Sequence, residues 1–128
     1  MEQNSQSPEL RAFELIRQAA YEYNKSEFKF FQNGFFKYKR EGDHTFLIED
    51  IYIVPEFRGT PVAHMILSDF EDFMRHEGIL MYYGRVFKGS NSYDKRIKTF
   101  TKWGMSQLDT NPLYTLVTKQ VEYYDETE

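Results

Sequence analysis

Apolar positions recur along this chain at two different spacings, and the change from one to the other marks out its elements. Near the start, Leu10, Phe13, Ile16, Ala20 and Tyr23 stand three or four apart, which puts them on one stripe of a helix. Ser7-Pro8-Glu9 supplies a cap, a proline at the first helical position and an early acid, so the helix covers residues 8–24. Two aromatic-rich strands follow, Phe28 to Gln32 and Phe35 to Arg40, and Asn33-Gly34 between them predicts a hairpin turn. Glu41-Gly42-Asp43-His44 turns the chain again into a strand over 45–54. Alternation there places Phe46, Ile48, Tyr52 and Val54 on one face and Leu47, Ile51 and Ile53 on the other, the pattern of a central strand buried on both sides.

Beyond it, Thr60-Pro61 opens a second helix whose Ala63, Ile66, Leu67, Phe70, Phe73 and Met74 share one side, and Gly78 ends it. Ile79 to Phe87 reads as a buried strand. A third helix starts at Asn91, with Asp94 as a capping-box-like acid, and stops at Gly104. Residues 105–108 and 113–121 form closing strands around Asp109-Thr110-Asn111-Pro112. The order is helix, three antiparallel strands, helix, strand, helix, two strands: an α/β (α+β) domain with a mixed, mostly antiparallel sheet flanked by helices.

Length and composition narrow what such a domain does. At 128 residues the chain is one domain with a core at 8–121, and its tails, 1–6 and 125–128, read as disordered. Twelve Phe and ten Tyr against one Trp mean a core built ring on ring. A hairpin bearing Phe28, Phe30, Phe31, Phe35, Phe36 and Tyr38 has more rings than one helix covers, which leaves some for an apolar substrate mouth or a homodimer contact. A net charge of -4 argues against a nucleic-acid protein. The absence of cysteine excludes disulfides, a thiolate nucleophile and Cys-ligated metal, and His44, His64 and His76 are too scattered for a zinc site. With no membrane-length apolar run and no signal-like N-terminus, the expectation is a cytoplasmic protein.

Chemistry concentrates where the central strand leads into the second helix, because free backbone N–H groups and the helix dipole make an N-terminus an anion site. Val54-Pro55-Glu56-Phe57-Arg58-Gly59-Thr60 and Ala63 resemble the pyrophosphate loop of the GNAT acetyltransferase superfamily, with Pro61 where that family has its middle glycine. The element order matches the family's core from its first helix onward, although the strand that usually precedes that helix has no counterpart. The resemblance implies an acetyl-CoA-dependent N-acetyltransferase that needs no metal and transfers to a primary amine, on a small molecule or a protein, by direct attack. It implies that Arg58, Gly59, Thr60, Val62, Ala63 and His64 hold pyrophosphate and that backbone amides of Ile51, Tyr52 and Ile53 hold the thioester and pantetheine arm. Asn91 stands near the family's pantetheine-binding asparagine, two residues too early for the usual spacing, and reads first as a cap.

Glu49 and Asp50, before an aromatic residue and Val-x-Pro-Glu, are similar to the polyamine and diamine acetyltransferases, where a carboxylate orients the amine and takes its proton. Neighbours on a strand point to opposite faces, so at most one of the two is expected in a cleft. A carboxylate satisfied by Arg or Lys across the sheet is the plainer reading. Lys88, Lys95, Arg96, Lys98 and Lys102 fit either a 3′-phosphate contact or a solvated helix face. Two departures favour an alternative. Pro61 lacks an amide where the loop would use one, and Phe100 stands where the family's proton-donating tyrosine belongs. A catalytically impaired binding, assembly or inhibitor module, as of a virus or mobile element, is the second reading.

Overall fold

A computed structural model of the chain describes residues 7–108 and 111–123. The expected disordered tails, and the Asp109-Thr110 part of the last turn, lie outside them. Helix α1, Pro8–Asn24, is capped by the Ser7 side chain; β1 (Ser26–Phe31), β2 (Gly34–Arg40) and β3 (Thr45–Ile53) form an antiparallel meander. A 3-10 turn, Pro55–Phe57, leads to α2, Pro61–His76, which crosses to β4 (Met81–Phe87), parallel to β3. Helix α3 (Tyr93–Lys102), β5 (Ser106–Leu108) and β6 (Tyr114–Gln120) complete a six-stranded sheet ordered β1-β2-β3-β4-β6-β5. Only the β3–β4 pair is parallel, as the mostly antiparallel pattern required.

The core lies between the sheet and α2. Phe70 is fully buried and stacks on Phe36 with ring centroids 4.1 Å apart, and Leu67, Met74, Tyr38 and Phe46 pack around that pair. Tyr82, also fully buried, bonds its hydroxyl to Glu71 of α2, which in turn pairs with Lys119 of β6 at 2.8 Å. Burial and Glu71 together hold that phenol well above the ordinary tyrosine range. Helix α1 packs mainly on β1, the edge strand of the sheet. Phe13 meets Phe28 and Phe30, while Leu10, Ile16 and Tyr23 of the predicted stripe stay exposed because the helix sits over the sheet edge rather than across it.

The face assignment on β3 needs correcting. Lys37 pairs with Asp50 but Tyr38 pairs with Ile48, so Glu49 is an extra residue, a β-bulge. It resets the alternation by one: Ile51 and Ile53 join Phe46 and Ile48 on the α2 side, and Tyr52 goes to the α1 side, stacked on Phe35. Burial on both faces holds at Phe46 and Leu47 and ends there, since Glu49, Asp50 and Tyr52 are exposed.

The hairpin turn also shifts. Phe31 pairs with Gly34, so Gln32-Asn33 makes the loop and Gly34 belongs to β2, without a positive φ. Glycine is needed there for closeness instead, because a Cβ would stand 2.3 Å from the Tyr52 carbonyl oxygen of β3. Gly34→Ala should therefore force β2 from β3 and cost about 1–3 kcal/mol, read as a lowered denaturation midpoint with Tyr52 amide exchange accelerated.

Candidate active site

Strands β3 and β4 share four rungs, Thr45↔Met81 to Ile48↔Gly84, and then part. Past that point β3 continues against β2 and β4 against β6, so neither strand loses its support and a wedge opens between them. Helix α2 begins at the open end of the wedge, and α3 forms one wall. The resulting cleft holds about 550 Å3, within the range of small-molecule sites.

Of the residues expected here, Glu49, Asp50, Ile51, Tyr52, Ile53, Arg58, Gly59 and Ala63 line the cleft, while Thr60, Val62, His64 and Asn91 do not. The bulge overturns the expectation that only one carboxylate faces it: with Glu49 inserted, both it and Asp50 reach the cleft. Glu49 accepts a 2.5 Å hydrogen bond from Ser26, a serine 1% exposed on β1. Asp50 accepts the Ile51 amide at 2.9 Å. Neither carboxylate pairs with Arg or Lys among the described residues.

The loop is partly self-satisfied. Thr60 caps α2 through its side chain, which accepts from the Val62 amide at 3.3 Å; Ala63 donates to the Thr60 carbonyl and Thr60 to that of Phe57. Pro61 has no amide to give. Gly59, with φ +73°, has an amide without a partner among the described residues. Arg58 turns its Nε to the Ile53 carbonyl at 2.7 Å and lays its guanidinium over the Tyr52 ring.

The spacing of residues did not single out three polar lining groups, Ser92, Thr99 and Arg85. Ser92, not Asn91, lines the cleft, because α3 starts two residues later than expected, at Tyr93. Thr99 stands on the same wall, and Arg85 and Tyr83 come from β4. From the basic cluster only Lys95 and Arg96 face inward. With Arg58 and Arg85 they make four cations against two carboxylates, in a chain of net charge -4.

Phe100 lines the cleft in T-shaped contact with Trp103, so the position matched to the missing tyrosine is indeed at the site. Of the three tyrosines that line the cleft, Tyr52, Tyr82 and Tyr83, the last two have phenols committed elsewhere. Tyr82 is bound to Glu71, and Tyr83 donates to Glu41 at 2.5 Å. Among the described residues no cluster of three or more His, Asp or Glu is arranged to hold a metal.

The arrangement of these elements has counterparts among solved structures. The chain superposes on the PaiA N-acetyltransferase of Thermoplasma acidophilum, in complex with coenzyme A, at a TM-score of 0.59 and 20% identity, over 69% of this chain and 53% of that one. A GNAT family acetyltransferase from Elizabethkingia anophelis with acetyl-CoA bound gives 0.55 and 14%, over 89% and 83%. Tetrahymena GCN5 gives 0.59 and 11%, over 79% and 70%. The chain has the GNAT acetyltransferase fold. It spans 53% to 64% of the length of four such structures, the PaiA enzyme included. No protein-family model matches the sequence, and no curated protein does.

Within this GNAT fold Tyr83 is a proton holder rather than a donor. Burial first, and then Glu41, push its phenol up from 10.0 to about 12. A raised folded-state value means the proton stabilises the fold fully below pH 10.0, and that contribution is lost as pH climbs through about 12. A phenolate absorbance titration should place the Tyr83 step near 12, and Glu41→Gln should bring it back towards 10.0.

Proposed function

We propose that the protein is an acetyl-CoA-dependent N-acetyltransferase whose acceptor is a primary amine attacking directly, without a covalent enzyme intermediate. The observation that carries this reading is the wedge itself: two strand edges open to a ligand, with a helix N-terminus and excess positive charge at the end where phosphates would lie. Acetyl-CoA supplies an acyl group activated as a thioester. The residues present fit it, with Arg58, Lys95 and Arg96 as counter-charges and the Gly59 amide as a fixed donor. Ile51 and Ile53 offer backbone groups to the arm, which must first displace Asp50 from the Ile51 amide and Arg58 from the Ile53 carbonyl.

Glu49 and Asp50 hold the amine and take its proton, directly or through water. The polyamine and diamine acetyltransferases that these residues resemble use a carboxylate in the same way, and one amine on the acceptor is all the reading requires. With Phe100 at the tyrosine position and Tyr82 and Tyr83 tied to carboxylates, the departing sulfur takes its proton from water. Pro61, with the Thr60, Val62 and Ala63 amides already in use or outside the cleft, supports the second reading, a fold kept for binding rather than transfer.

Calorimetric titration of acetyl-CoA decides between them. Micromolar dissociation constants support the enzyme, and no heat at millimolar ligand removes it. Trp103, on the cleft wall and the chain's single tryptophan, gives an independent fluorescence readout. Pro61→Gly should tighten binding about tenfold or more if the loop holds an anion through its amides. Glu49→Gln and Asp50→Asn should leave acetyl-CoA affinity near wild type, and the one that manages the amine proton should lower kcat about a hundredfold or more.

A further inference from the structure

The opposite face of the wedge carries a second message. The last shared rung is Ile48↔Gly84, so Glu49 and Arg85 are the first residues past it and face each other where the strands begin to separate. Both belong to the α1 side of the sheet: Tyr83, two residues before Arg85, pairs with Leu47, Leu47 with Lys39, and Lys39 with Ser26. At the start of the gap the strands stand about 4.8 Å apart, close enough for a carboxylate and a guanidinium to meet. They do not pair. Glu49 is drawn away to Ser26, and Arg85 lies over the Tyr114 ring at 5.6 Å, with no ion pair among the described residues.

Two opposite charges are thus held apart by their own partners, with open cleft between them. Asp50 adds a second negative charge on the β3 side, while Tyr52 and Tyr83 floor the space. We propose that this half of the cleft takes a zwitterionic acceptor, a primary amine and an anionic group on one small molecule, as in an amino acid. The amine lies against Glu49 and Asp50, and the anion takes the Arg85 guanidinium, which a planar fork suits for carboxylate. A diamine or polyamine fits worse, because its second ammonium would lie against Arg85. A simple alkylamine leaves Arg85 unused. The inference rests on the acyl-transfer reading for which end reacts, but the charge pattern stands on its own and is tested by binding alone.

The test is calorimetry on the whole protein, with and without coenzyme A, using glycine, β-alanine, γ-aminobutyrate and ε-aminohexanoate beside butylamine, butyrate and diaminobutane. The expected result is one amino acid binding about tenfold or more tighter than the amine, the acid and the diamine. Arg85→Gln should reduce that amino acid to the level of butylamine, and Arg85→Lys should keep part of the preference. Butylamine or diaminobutane binding as well as every amino acid, no amino acid binding at all, or a preference that survives Arg85→Gln would each overturn the proposal. Failure of the acyl-transfer reading shows separately, as absent heat from acetyl-CoA while the amino-acid preference persists.

Discussion

One inserted residue, Glu49, sets both the core and the cleft. A strand's side chains alternate strictly, so a single extra residue exchanges faces for everything after it. Without the bulge, Ile51 and Ile53 would leave the α2 side and Tyr52 would enter it beside Phe36. With it, Phe46, Ile48, Ile51 and Ile53 all pack towards Phe36, Phe70 and their neighbours. The same insertion puts two consecutive carboxylates on one face of the strand, which a regular strand cannot do. Bulges sharpen local twist, and this one lies just past the last rung that β3 shares with β4. Core burial and site construction are therefore one event in the chain.

The wedge costs little because each side is braced independently. Beyond the bulge at Glu49, β3 stays paired with β2 from Asp50 to Ile53; beyond Gly84, β4 keeps its pairing with β6. Helix α2 bridges the two halves from below. Its Phe70 stacks on β2 through Phe36, and its Glu71 reaches Tyr82 of β4 and Lys119 of β6. What parting leaves unpaired is backbone, and buried unpaired backbone is expensive. Asp50 covers the Ile51 amide and Arg58 covers the Ile53 carbonyl. The contacts that satisfy the parted backbone are thus made by side chains, which are free to change partners.

Period and capping made the elements and their order legible, since Ser7-Pro8, Thr60-Pro61 and the runs of rings are local signals that tertiary packing reinforces. A bulge has no such signal. Ile48, Ile51 and Ile53 fit a regular strand with two buried faces as well as a bulged strand with one, and only the partner strand's register distinguishes them. The turn at Gln32-Asn33 escaped for a related reason: Asn33-Gly34 is strong turn chemistry, but Gly34 answers to the Tyr52 carbonyl of a strand nearly twenty residues on. At the site, the residues carried by one continuous segment were readable. Arg85 and Thr99 were not, and the basic run 88–102 did not say that Lys95 and Arg96 alone would line the cleft, because their place depends on how β4 and α3 close the wedge.

The start of α2 shows two demands on the same atoms. Thr60 and Pro61 complete the helix end well: the hydroxyl accepts the Val62 amide, the Thr60 carbonyl accepts that of Ala63, and proline brings no amide needing a partner. An anion site wants the reverse, amides left unsatisfied and aimed outward. Here stability of the helix end has prevailed, so on the proposed reading the load of holding an anion passes from oriented amides to Arg58, Lys95 and Arg96. Exposed side-chain charges are screened over about 10 Å at moderate salt and lose entropy when they order, whereas backbone amides are already in place. On that reading anion affinity rests on three movable cations and one fixed amide, and ionic strength should weaken it more than it would a cradle of main-chain donors.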